Sequence, residues 1–159
     1  MFPLLLATAA ALGGSEVGWR QPLFVIERST NANVVHYDAN LRPDGQIDPH
    51  RPIQAYWIMA AQDGRREELT ALERSRAYGF SVEPESSLQS FRMELVAQRG
   101  RPIEVRRDGD AVRAQTTIAG RSAYLLRIYV TAGRLKLKAI DYFGIDPNTG
   151  ETVHERVQP

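Results

Sequence analysis

Apolar and polar residues alternate along most of this chain with the period of two that a half-buried β-strand requires. Pro22 opens the first such run, Leu23–Ser29, in which Phe24, Ile26 and Arg28 share one face and Leu23, Val25 and Glu27 the other. Thr30–Ala32 makes a turn, and Asn33–Asp38 returns from it. Ala39–Pro52 reads as a loop punctuated by Pro43-Asp44-Gly45. Gln54–Ala61, QAYWIMAA, is the most apolar run and reads as a central strand. Strand-like runs recur at Phe91–Gln98, Pro102–Arg107, Ala111–Ala119, Arg121–Thr131, Leu135–Ile145 and Glu151–Val157. Asp108-Gly109, Ala119-Gly120 and Ala132-Gly133 supply tight reversals between them. In Arg121–Thr131 the alternation places Tyr124, Leu126, Ile128 and Val130 on one face.

Asp63–Ala77 has helical spacing instead. Asp63 can cap it, Glu67 and Glu68 fall in its first turn, and Arg74 and Arg76 in its last. Leu69 and Leu72 mark its buried stripe, and Tyr78-Gly79 supplies a stop. Ser81–Gln89, with Pro84, reads as a loop. The pattern therefore predicts a mainly β fold of eight or nine strands. It is an antiparallel meander closing into a barrel or strongly bent sheet, with one α-helix inserted after the third strand.

At 159 residues the chain suits a single domain, spanning residues 22–158. A formal net charge of +1 argues against nucleic-acid binding driven by counterion release. The cations are almost all arginine, 18 against two lysines, and arginine presents a planar fork to carboxylate or phosphate. The absence of cysteine removes disulfides, thiolate metal sites and cysteine nucleophiles. Met1–Gly14 is apolar, rich in small residues and too short to span a bilayer. It reads as part of a signal peptide over residues 1–15, which places the domain in the periplasm or outside the cell.

The chemistry concentrates where the first strand ends. Arg28, Ser29, Asn31, Asn33, Glu73 and Arg74 can line one pocket, with Tyr56, Trp57 and Tyr78 as walls. Arg28 and Arg74 would grip an anion while the Asn amides orient it. The same residues also suit an internal network, with Arg28 paired to Glu73 and the Asn side chains tying off the turn. Glu27, Glu73 and Asp141 are the carboxylates a hydrolase would use. Ser29 lacks a nucleophile elbow, and His36, His50 and His154 lack metal-ligand spacing. No catalytic residue, metal ligand or cofactor is assigned. Arg99, Arg101, Arg106, Arg107 and Arg113 gather round one hairpin and suit contact with an envelope protein, another acidic partner or lipid headgroups, while charges at hairpin ends also block edge-to-edge aggregation.

Four blocks carry a family resemblance: Phe24–Asn33 (FVIERSTNAN), Ala55–Ile58 (AYWI), Leu69–Gly79 (LTALERSRAYG) and Gly144–Glu155 (GIDPNTGETVHE). Through them the chain resembles a bacterial domain-of-unknown-function family, number 4833, from about Pro22 to Val157. The resemblance implies a stand-alone, usually exported domain and brings no activity with it. The expected function is a non-catalytic binding module for a small amphipathic or anionic ligand. A carboxylate-dependent hydrolase and a structural protein of the cell envelope are the alternatives.

Overall fold

A computed structural model describes residues 19–86 and 89–159. Strands take 61% of the chain and helix 6%, so the fold is mainly β. The strands are β1 (Trp19–Arg28), β2 (Asn31–Leu41), β3 (Ile53–Met59), β4 (Arg65–Glu68), β5 (Phe80–Pro84) and β6 (Ser90–Leu95). There follow β7 (Ile103–Asp108), β8 (Ala111–Ile118), β9 (Arg121–Ala132), β10 (Leu137–Ile145) and β11 (Thr152–Val157). Helix α1 (Ala71–Arg76) lies between β4 and β5.

All the strands join one sheet. Nine run in the order β4-β3-β2-β1-β9-β8-β7-β6-β5, and β10 and β11 branch from β9. The path curls strongly into a half-barrel. Its concave side holds the core, including Phe24, Ile26, Val35, Tyr37, Trp57, Met93, Leu95, Val105 and Ile128. Every neighbouring pair is antiparallel except one: β1 runs parallel to β9, with Val25–Arg28 beside Arg127–Val130. Hairpins alone predicted a pure meander. The parallel pair arises because one edge of β9 serves two strands, β8 along its first residues and β1 further on. Gln21 bridges the fork, since its side-chain amide donates to the Val112 carbonyl and accepts from the Val112 N–H at 3.1 and 2.9 Å.

The helix is shorter than its spacing suggested. Residues 65–68 form β4, paired with Met59–Tyr56 of β3. Asp63 is no cap but a left-handed residue (φ 55°) closing a 3-10 turn. Thr70 is the cap: its hydroxyl accepts the Glu73 N–H, and the Glu73 carboxylate takes the Thr70 N–H. Leu69 is buried as expected, whereas Leu72 is 62% exposed. Gly79 ends the segment by close approach rather than by positive φ, since a Cβ there would lie 1.7 Å from the Arg74 carbonyl oxygen. The segment read as a loop after it contains β5, paired with β6.

Two strands carry bulges that move their faces. Pro22 lies inside β1, not at its start, and the register slips between Pro22 and Phe24. Leu23 and Phe24 are consequently both buried. In β9 the pairing with β10 slips between Leu125 and Arg127. This turns Leu125 into the core and leaves Leu126 42% exposed, against the plain alternation.

Candidate functional site

The end of β1 does meet the lone helix, but through an aromatic ring. The Arg28 guanidinium lies over the Trp57 ring, 4.4 Å from its centroid. The Trp57 Nε1–H donates to Glu73 Oε1 at 3.1 Å. Arg28 also donates from Nε to Asn31 Oδ1 at 3.3 Å and from Nη1 to the Tyr78 hydroxyl at 3.2 Å. Tyr78 stands edge-on to Trp57. The direct Arg28–Glu73 ion pair is replaced by this indirect one. Partial burial works against the Glu73 charge, but the Thr70 N–H and hydroxyl, the Trp57 N–H and the positive Arg28 hold its carboxyl below the usual range.

Five of the nine expected site residues thus form one chain of contacts: Asn31, Arg28, Trp57, Tyr78 and Glu73. Asn33 adjoins this chain, its N–H donating to Asn31 Oδ1 at 3.1 Å, and with Arg28 and Asn31 it lines a hollow of about 260 Å³. The remaining three, Ser29, Tyr56 and Arg74, stand elsewhere. Ser29 accepts the Ala132 N–H, tying the first turn to the end of β9. Asn33 accepts the Ala60 N–H, tying β2 to the 3-10 turn. Tyr56 is next to Trp57 on a strand and so points to the convex face. There it donates to Asp38 at 2.6 Å, stacks on His36 and carries Arg66 3.8 Å above its ring. Burial and that bond to Asp38 push its hydroxyl up to about 12. Arg74 turns away from Arg28 and donates to the Leu69 carbonyl and to Glu68 at 3.0 and 3.3 Å.

The candidate carboxylates are each held by their own donors. Glu27 pairs with Arg127 at 3.3 Å. Asp141 lies 2.7 Å from His154 Nε2 and 3.5 Å from Arg156. It alternates with the core residues Ile140 and Tyr142, so it is buried on the opposite face and not toward the core. In the arginine-rich hairpin, Arg101 makes two bonds to Glu155 and covers Tyr142, which fastens β11 instead of leaving this cation to a partner. Among the described residues, no group of three or more His, Cys, Asp and Glu is placed to hold a metal ion.

Two adjoining hollows lie beside the seam where the half-barrel stays open. The sheet path ends at β4 and β5. Among the described residues, β4 partners only Tyr56–Met59 of β3, and Ile53–Ala55 have no strand on that side. A cleft of about 340 Å³ fills the gap, with Ile53, Ala55, Leu69, Phe80 and Val96 as apolar lining and Arg51, Gln54, Glu68 and Arg74 as polar lining. A second hollow of about 400 Å³ adjoins it and shares Arg51, Gln54 and Glu68. Arg20 and Arg66 complete its basic side, and Asn40 and Asp48 also face it. Gln54 accepts from Arg66 at 3.2 Å, while its own buried Nε2 has no partner among the described residues. Arg74 alone of these residues stood among the expected site residues. Arg20, Arg51, Gln54 and Arg66 carry no local signal, because strands and a loop far apart in sequence bring them together.

Fold and site define a class: an open β half-barrel with an amphipathic cleft along its seam. The chain belongs to the family described as domain of unknown function DUF4833, whose profile matches residues 24–156. No curated protein and no solved structure matches it.

Proposed function

We propose that this chain is a non-catalytic binding module whose site is the seam cleft between β3 and β5. Its ligand is a small amphipathic anion, with the apolar part against Ile53, Leu69 and Phe80 and the charge toward Arg51. One observation carries the reading: an opening of about 340 Å³, lined by both apolar and polar side chains, sits beside the unpaired end of β3, with arginines at its edge. Its volume falls at the lower end of the range ligand sites occupy, roughly 300–1,000 Å³. The Arg28–Trp57–Glu73 cluster supports the cleft from behind by fixing α1. The signal-like pattern of Met1–Gly14 supports a setting outside the cytoplasm; its residues lie outside those described, and cell fractionation of the host tests the placement.

Native mass spectrometry of the protein from its own host, with calorimetric titration of dodecanoate, tests the binding. A co-purifying anionic amphiphile and saturable dodecanoate binding are expected. Arg51→Ala should weaken that binding about tenfold, equivalent to about 1.4 kcal/mol. Absence of saturable binding with no co-purifying molecule would overturn the reading.

A further inference from the structure

The polar hollow beside the cleft asks for more charge than one carboxylate brings. Around the two joined hollows, four guanidiniums (Arg20, Arg51, Arg66 and Arg74) meet two carboxylates (Asp48 and Glu68). Glu68 is shared by Arg66 and Arg74, at 3.6 and 3.3 Å. Arg20 and Arg51 form no ion pair among the described residues, as every salt bridge there uses other cations. Arg66 lies over Tyr56, its guanidinium carbon 3.8 Å from the ring centroid, which restrains where its fork sits. Gln54 adds a buried amide donor that lacks an acceptor among the described residues.

We infer that this hollow takes a phosphate head group, with the ligand's apolar part in the adjoining cleft. This rests on the binding reading above and narrows the ligand to a phosphate ester. A carboxylate has two oxygens in one plane and satisfies one guanidinium fork. A phosphate offers three or more oxygens and up to two charges, enough for Arg20 and Arg51 together and for the Gln54 amide. Glu68 competes with it, since it occupies the forks of Arg66 and Arg74.

Calorimetry with dodecyl phosphate, dodecanoate and inorganic phosphate tests this, alongside sedimentation with vesicles containing phosphatidic acid. Dodecyl phosphate is expected to bind at least tenfold tighter than dodecanoate. Arg20→Ala should remove that preference while leaving dodecanoate within about twofold, and Glu68→Gln should strengthen phosphate binding. Circular dichroism and a thermal melt establish that both variants are folded. Vesicle binding abolished by Arg20→Ala would assign the phosphate to a lipid headgroup; binding of soluble dodecyl phosphate alone would assign it to a free ester. Equal affinity for the two amphiphiles, or a preference untouched by Arg20→Ala, overturns this inference and leaves the cleft reading standing. Inorganic phosphate bound as tightly as dodecyl phosphate keeps the hollow but removes the apolar part. Failure of all three ligands overturns both.

Discussion

Arg28 links the first strand to the helix through the Trp57 ring, and its surroundings set what its loss costs. A guanidinium over a buried ring contributes about 0.5–2 kcal/mol, and each of its hydrogen bonds about 1 kcal/mol or less at a half-exposed position. Glu73 keeps its bonds from Thr70 and Trp57 when Arg28 is removed. Arg28→Ala is therefore expected to lower the unfolding free energy by about 2 kcal/mol, below the roughly 3–5 kcal/mol of a broken buried ion pair. Urea denaturation measures it, and a loss as large as the latter would mean that Glu73 relies on Arg28 directly. The convergence of Arg28, Trp57, Glu73 and Tyr78 was legible from polar groups crowding the end of an apolar strand. That Tyr56 faces the other way from Trp57 was legible too, since strand neighbours alternate. Apart from Arg74, the arginines of the seam were illegible because no local rule brings β1, β4 and the 42–52 loop to one place.

At the scale of elements, the turns reveal most about sequence and structure. Thr70-Ala71-Leu72-Glu73 carries the capping-box signature, but Asp63 and the charged run after it suggested an earlier start. Arg-Arg-Glu-Glu at 65–68 favours helix locally, yet pairing with β3 makes it a strand. β5 was hidden for a similar reason, since Ser81, Glu83 and Pro84 leave little apolar signal. The Ala119-Gly120 reversal was read correctly and carries a defect. Ala119 has φ 51° and Gly120 φ 74°, the left-handed pair a two-residue hairpin turn wants. Alanine is a poor occupant of that region, and asparagine a good one. Ala119→Asn is expected to stabilise the protein by about 0.5–1 kcal/mol, seen as a higher midpoint in chemical denaturation with an unchanged slope. No change, or a loss, would show that the alanine is unstrained.

For the whole molecule, the governing feature is the fork at β9. Where β1 and β8 diverge, the Gln21 amide takes the place of a strand and pairs with both backbone groups of buried Val112. Gln21→Leu leaves that N–H and carbonyl unmatched, at about 1–3 kcal/mol for each buried group. A total loss of about 2 kcal/mol or more in equilibrium unfolding is expected, with Gln21→Asn failing to restore it because its amide is one methylene short. An unaltered midpoint would mean that water replaces the bridge. The curled β meander was readable from hairpin signals, since each couples neighbours in sequence. The fork was not, because β1 and β9 are joined across about a hundred residues, as Glu27 and Arg127 illustrate. On a ribosome, the first strand emerges long before its parallel partner exists. Until residue 130 has been made, one flank of β1 stays bare, so the half-barrel assembles late and as a unit. A chain stopped ahead of Arg121 is then an unfinished edge, exposed to proteases and to other chains, and not a smaller version of the same domain.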